Sequence, residues 1–366
     1  MKIEGIELKK LSIRLKKPFK TALRTVNSAE EIIIIIKADD GSVGYGEAPP
    51  TAVITGDTSG AIIGAIKENI ENALIGEEIG NLERIMYKLD KAIVRNTSAR
   101  AAVDMAIYDL FGKLYKAPVY KLLGGYRDQI ETDITISVND PNEMMDDALG
   151  FIKQGFTALK MKVGIDSKKD IERVKAVRQA VGYDVKLRLD ANQGWQPKEA
   201  VRIVRKMEDM GLDIELIEQP VKAWNIDGLK FVTDNTQTPI MADESMFSSY
   251  DAFKILGMRA ADLINIKLMK CGGIYNALKI IAIAETCGVE CMVGSMIESK
   301  LSATAAAHLA CAKKNIIRFD LDTALLLAED PIVGGIVNEA PILKISNKPG
   351  LGIERIDGLK DLNINF

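Results

Sequence analysis

The sequence predicts an α/β protein built on a TIM-type barrel, with a smaller α+β region in front of it. Three observations carry that prediction. After Gly124-Gly125, short apolar strands alternate with helical patterns, the rhythm of a parallel sheet. A polar residue recurs at the strand ends, at Asp133, Lys162, Asp190, Glu218, Asp243, Lys267, Ser295 and Asp320, at spacings of 24 to 29 residues. That is the length of one strand-turn-helix unit, and eight such units close a barrel whose strand ends hold the active site. Before Gly124 the order is strands first and helices second, an α+β arrangement. The 366 residues suffice for both parts. The expected division is 1–125, then a barrel over 126–341, with 342–366 returning to the N-terminal part.

Residues 1–16 and 30–48 read as an antiparallel meander, with Glu30–Ala38 and Ser42–Glu47 joined at Asp39-Asp40-Gly41, a strong hairpin signal. The five isoleucines Ile32–Ile36 suit a buried strand. Lys17–Ser28, which holds Arg24, and Glu47–Gly60 exceed the usual connection length and read as lid or binding loops. Helices are expected over Ser59–Ile75, Asn81–Ile93 and Thr97–Tyr115, the last with Ser98 as its N-cap. In the barrel, Ser167 and Asp170 read as the capping pair of a helix over Ser167–Val181. Pro197 opens the helix that Gly211 ends.

Net charge is −3 with both signs interspersed, and apolar residues make up 47 %. No basic block suggests nucleic acid, and no apolar run is long enough to span a membrane. The N-terminus lacks the apolar region of a signal peptide, so a cytoplasmic protein is expected. Cys271, Cys287, Cys291 and Cys311 do not make a zinc set and read as free thiols. The single histidine, His308, lies in an alanine-rich helix and reads as a packed residue. Histidine triads and multi-histidine metal sites are therefore excluded by count, and carboxylates, lysines or cysteines must carry any chemistry.

The chemistry-bearing stretch is Ala158–Gly164. In a strand, Lys160 and Lys162 share one face while Leu159, Met161 and Val163 share the other. Mutual repulsion and burial would lower their pKa values toward a useful base. Asp190, Glu218 and Asp243 end consecutive strands 3, 4 and 5. Three carboxylates converging at one barrel mouth need a cation, and oxygen ligands suit Mg²⁺ best, with Mn²⁺ as the alternative. Lys162 on strand 2 and Lys267 on strand 6 stand diametrically opposed in an eight-strand ring. One lysine on each side of a bound carbon can take a proton from one face and return it to the other. Racemisation or epimerisation follows, with a metal stabilising the charge that proton loss places on a neighbouring carboxylate. The different-class alternative is a Schiff-base aldolase using Lys267.

Lys-Met-Lys at 160–162, Asp190-Ala-Asn192, Glu218-Gln219-Pro220, Asp243-Glu244-Ser245 and Asn265-Ile266-Lys267 resemble the motifs of the muconate-lactonizing subgroup of the enolase superfamily. The resemblance spans the whole chain and implies a modified TIM barrel, (β/α)7β, with an α+β N-terminal capping domain completed by the C-terminal segment. It implies Mg²⁺ on Asp190, Glu218 and Asp243, and Lys162 and Lys267 as the acid/base pair. Within the subgroup, Lys17–Thr25, Gly294–Glu298 and Arg318–Asp322 resemble the lid and the strand-7 and strand-8 ends of dipeptide epimerases, especially those acting on L-Ala-D/L-Glu. That implies substrate contacts at Arg24, Thr135, Lys160, Ser295, Met296, Glu298, Asp320 and Asp322. Asp320 and Asp322 would hold an α-ammonium, and Arg24 a glutamate side chain. The small dipeptide would be the partner, and a homo-oligomer is expected. Other reactions of the scaffold are the alternatives: N-acylamino-acid racemisation, o-succinylbenzoate synthesis and muconate cycloisomerisation.

Overall fold

The computed structural model describes residues 1–362. Three long antiparallel strands open the chain: β1 (Ile3–Lys20), β2 (Thr25–Ala38) and β3 (Val43–Ala48). The isoleucine run is the centre of this sheet, and Ile32, Ile33, Ile34 and Ile36 are buried. The segment 17–28, expected as a loop, is instead the end of a hairpin. β1 and β2 stay paired to Phe19↔Val26 and Lys20↔Thr25 after an irregularity beyond Arg14↔Ser28. The ladder of β1 and β2 carries on past the irregularity because the two strands already run side by side, so only Thr21–Arg24 forms the turn, closed by Thr21 N–H to the Arg24 carbonyl at 3.0 Å.

The helix Thr97–Leu114 packs across this sheet. The approach is close enough that a Cβ on Gly46 would lie 1.8 Å from the Ala102 carbonyl oxygen. Its N-cap is Asn96, in the left-handed region at φ 43°, rather than Ser98. Ser98 N–H donates 2.9 Å to the Asp57 carboxylate, so a loop residue distant in sequence does the work expected of a local serine. The helix Ser167–Val181 departs from expectation in the same way. Asp166 is its N-cap, accepting from Lys168 and Lys169 N–H at 3.1 and 3.3 Å. Asp170 turns inward to accept from Gly164 N–H and the Trp195 indole.

After β4 (Gln129–Glu131), eight parallel strands form one sheet: β5 (Ile134–Ile136), β6 (Ala158–Lys162), β7 (Lys186–Asp190), β8 (Ile214–Glu218), β9 (Ile240–Ala242), β10 (Leu263–Ile266), β11 (Cys291–Gly294) and β12 (Ile316–Asp320). The order β5 to β12 is sequential. Between its two ends the seam is bridged by Asp133 N–H to the Phe319 carbonyl at 3.0 Å and by Leu321 N–H to Thr132 Oγ1 at 2.9 Å. Outward residues pack on the surrounding helices, and the inward residues Leu216, Met241, Leu263 and Met292 form a separate apolar plug. Beside the plug, Arg188 bridges Asp133 at 2.8 Å and Glu215 at 2.6 Å. Asp133 thus lies before β5 and low in the barrel, not at a strand end with the other polar residues; Thr135 is the inward residue of β5 at the mouth.

The chain then forms β13 (Ile332–Gly334), β14 (Val337–Glu339), β15 (Ile342–Lys344), β16 (Ile353–Ile356) and β17 (Lys360–Asp361). β15 pairs with β4, and among the described strands of this segment only β17 joins the N-terminal sheet, at Lys9↔Asp361. Residues 363–366 of the expected return lie outside the described residues. No helix among the described residues is long and apolar enough to cross a membrane. The four cysteines are unpaired, and His308 is buried, its Nδ1 accepting from Tyr120 N–H at 3.1 Å.

Candidate active site

The inward positions of neighbouring strands meet at the carboxyl end of the barrel. Asp190 on β7, Glu218 on β8 and Asp243 directly after β9 each offer a carboxylate oxygen, all within 4.8 Å of one another and all buried. The parallel register sets this: Lys162 is level with Asp190, and Asp190 with Glu218. Backbone and side-chain donors orient the acids. Asn192 N–H donates to Asp190 at 2.9 Å, Asn265 Nδ2 to Glu218 Oε1 at 2.8 Å, and Gln219 Oε1 accepts Asp243 N–H at 2.9 Å. Gly294 is the inward residue of β11, where a Cβ would sit 2.9 Å from Asn265 Oδ1. Only glycine leaves Asn265 room to hold Glu218.

Four lysines surround the acids. Lys162 Nζ is 2.6 Å from Asp190, on the β6 side. Lys267 Nζ is 2.8 Å from Asp243, on the β10 side. Lys160 is buried between Glu218 (2.7 Å), Asp320 (2.7 Å) and Asp190 (3.2 Å). Lys270, which the sequence reading did not single out, lies 2.6 Å from Asp243 Oδ1. Its signal was its place one helical turn after Lys267. Glu218 Oε2 and Asp243 Oδ1 meet Lys160 and Lys270 only as ion pairs, without hydrogen-bond alignment. A compact, buried set of three carboxylates that offers only oxygen fits a hard divalent cation.

The electrostatics show why a cation belongs here. Burial pushes Glu218 up, Asp190 adds to the push, and its pKa reaches about 8. Burial and Asp243 raise Glu244 to about 7. Burial also opposes ionisation of Asp190, but Lys162 and Lys160 outweigh it and hold Asp190 at about 2. The expectation that paired lysines depress one another is overturned for Lys160. Burial disfavours its ammonium, but Asp320, Glu218 and Asp190 outweigh burial and shift it upward. Lys267 moves the same way: Asp243 and Glu218 overcome burial. The sequence reading counted the neighbouring lysine and not the acids across the barrel.

Above the acids lies a cavity enclosing about 50 Å³. Arg24, Thr135, Lys162, Lys267, Ser295, Met296, Asp320 and Asp322 all line it. Thr135 N–H donates 2.6 Å to Asp322. Burial and the adjacent Asp320 lift Asp322 to about 6. Two residues stand apart from the lining. Lys160 lies beneath it, and Glu298 turns away to accept Met296 N–H at 2.8 Å. Glu298 shares that buried region with Glu47, which accepts Ser299 N–H at 2.6 Å. Phe19, Leu23 and Ile54 also line the cavity from the N-terminal part, a contribution the sequence reading left to unspecified loops.

Comparison with known proteins agrees with this architecture. Residues 5–124 match a family model described as the mandelate racemase / muconate lactonizing enzyme N-terminal domain, and residues 143–357 match one described as enolase C-terminal domain-like. The chain belongs to the enolase superfamily. Within it, the chain is 55 % identical over 357 residues to an L-Ala-D/L-Glu epimerase of Clostridium acetobutylicum, covering 98 % of this chain and 100 % of that one. It is similar in structure to a substrate-liganded complex of the L-Ala-D/L-Glu epimerase from Bacillus subtilis. There the TM-score is 0.95 and the identity 56 %, over 96 % of this chain and 99 % of that one. A dipeptide epimerase from Enterococcus faecalis V583, complexed with Mg and the dipeptide L-Leu-L-Tyr, matches with a TM-score of 0.94 and 46 % identity, over 97 % of this chain and 100 % of that one.

Proposed function

We propose that this protein is a Mg²⁺-dependent dipeptide epimerase acting on L-Ala-D/L-Glu. The observation that carries it is the placement of Lys162 and Lys267 against opposite members of one acid cluster, Asp190 and Asp243. Lys162 ends β6 and Lys267 directly follows β10, with β7, β8 and β9 between those strands. Asp190, Glu218 and Asp243 would hold the metal. When bound, it would supply positive charge to the substrate carboxylate as the neighbouring carbon loses its proton.

The chain's own residues do the rest. Arg24 from the lid pairs with the glutamate side chain in the planar geometry a guanidinium favours. Asp320 and Asp322 hold the α-ammonium. Lys160 places a fixed positive charge beneath the substrate carboxylate, and Ser295 and Met296 shape the wall around it. One lysine removes the α-proton of the C-terminal residue, and its opposite delivers a proton to the other face, which inverts the centre. Closure of the hairpin tip over a cavity of about 50 Å³ excludes water and fixes the α-carbon between the amines. The same proposal takes residues 1–125 with 342–366 as a cap that selects the substrate and 126–341 as the barrel that performs the reaction. Such an enzyme would work in the cytoplasm as a homo-oligomer, on dipeptides released during recycling of cell-wall peptides.

A dipeptide library in D₂O with Mg²⁺, read by mass and by ¹H NMR, tests the proposal. L-Ala-L-Glu should lose its glutamate α-proton signal and yield the L,D epimer. If L-Ala-L-Glu stays inert while N-acylamino acids exchange, the assignment is wrong.

A further inference from the structure

The cavity above the acids is small, yet a second cavity of about 530 Å³ lies against it. Phe19, Thr135 and Leu326 line both. The second cavity sits between β5, the helix Pro141–Lys153 and the base of the lid hairpin. Its floor is apolar, with Ile134, Phe151 and Phe156; the last two rings stack edge-on at 6.0 Å. The lysines on its rim are already engaged: Lys17 with Asp147 at 2.8 Å, Lys20 Nζ with Asn139 Oδ1 at 2.8 Å, and Lys16 with the Leu325 carbonyl at 2.8 Å. No uncommitted cation on the rim calls for an anionic ligand, and the volume is that of a small-molecule pocket.

Thr135 decides what enters. Its backbone N–H holds Asp322, one of the two carboxylates read above as the ammonium anchor, and the residue lines both cavities, so Asp322 sits where they adjoin. The carbon that bears a substrate's α-ammonium also bears its first side chain. An ammonium at Asp322 therefore brings that side chain to where the cavities adjoin. We infer that the second cavity receives the side chain of the N-terminal residue, and that the enzyme epimerises dipeptides with bulky apolar N-terminal residues, such as Leu and Met, besides Ala. This inference rests on the dipeptide reading of the site.

Gly150 supplies the test. It lines the second cavity from the helix Pro141–Lys153, and a Cβ added there meets nothing within 4 Å. Gly150→Leu and Gly150→Trp should fill the space without touching Asp190, Glu218, Asp243, Lys162 or Lys267, none of which lines it. Wild type should turn over L-Leu-L-Glu and L-Met-L-Glu within about tenfold of L-Ala-L-Glu in kcat/KM. Both variants should keep L-Ala-L-Glu within about twofold, which also reports that they fold, and lose at least about tenfold on the larger substrates. The inference is overturned if wild type handles L-Ala-L-Glu and rejects the larger dipeptides, or if the variants lower all three substrates equally or not at all. Wild-type failure on L-Ala-L-Glu itself would instead overturn the dipeptide reading.

Discussion

Replacing Lys267 gives the sharpest test of the two-amine arrangement. Lys267→Arg keeps a cation beside Asp243 but cannot lose its proton near neutral pH, and Lys267→Ala removes the group altogether. A positioned acid or base contributes about 10² to 10⁴ in rate, and Lys270, although it touches Asp243, does not line the cavity and so does not replace it. Epimerisation should therefore fall by about 10² to 10⁴ in both variants, equivalent to about 2.7 to 5.4 kcal/mol of transition-state stabilisation. The stability cost should be modest. Breaking a buried ion pair costs roughly 3–5 kcal/mol when the partner is left alone. Asp243 keeps Lys270 at 2.6 Å, so Lys267→Ala should lose less than that. The assay is ¹H NMR in D₂O, started separately from L-Ala-L-Glu and L-Ala-D-Glu. With Lys162 intact, α-proton exchange should persist from one epimer while inversion is lost; Lys162→Ala should retain exchange from the other. Single-lysine variants that prefer the same epimer, or Lys267→Arg above about one hundredth of the wild-type rate, would refute the opposed-amine reasoning.

Three further outcomes follow from the same geometry. Chelation should abolish epimerisation and Mg²⁺ should restore it; at 100-fold excess over its dissociation constant the ion should stabilise the fold by about 2.7 kcal/mol, a melting shift that Glu218→Gln should largely remove. Asp322→Asn should raise KM for L-Ala-L-Glu by about tenfold or more, through loss of a charge-assisted contact, with a smaller effect on an N-acetylated analogue; equal effects on both would argue against an ammonium anchor. Burial holds His308 at about 3, well below its ordinary value. The unfolded chain thus takes up a proton that the fold refuses as pH drops below about 6.5, so the stability present at neutral pH declines toward pH 3. Wild type should lose about 2 kcal/mol more than His308→Asn between pH 7 and pH 5 by chemical denaturation, and parallel losses would reject that assignment.

The barrel was legible because its strands are short, apolar and regularly spaced, and because parallel register places equivalent positions at one level. On that basis alone the sequence brings Asp190, Glu218, Lys162 and Lys267 together. Asp133 could not be placed correctly, because β5 is only three residues long and its polar residue precedes the strand instead of ending it. Caps were the least legible feature. Ser98 looked like a local cap, but Asp57 takes that part from across the fold, and no pattern within a few residues signals such a partner. The hairpin end at 17–28 was misread for a related reason. Lys17–Ser28 carries weak strand propensity, and its ladder forms because β1 and β2 already run side by side. Charges at the site were misjudged when Lys160 and Lys162 were weighed only against each other, since the dominant partners come from β7, β8 and β12.

Glu47, on β3, takes the hydrogen bonds of Ser299 and Ser302 N–H at the start of the helix Lys300–Ala312. Asp104, on the helix Thr97–Leu114, does the same for Ile274 and Tyr275 N–H at the start of another barrel helix. Each part of the molecule therefore supplies ends that the other needs. A truncated barrel would leave those amides bare, and a truncated front part would keep buried acids with nothing to hold. Swapping front parts among relatives to change substrate preference should work only when these two acids travel with the graft, and heat should melt the whole chain in one cooperative step.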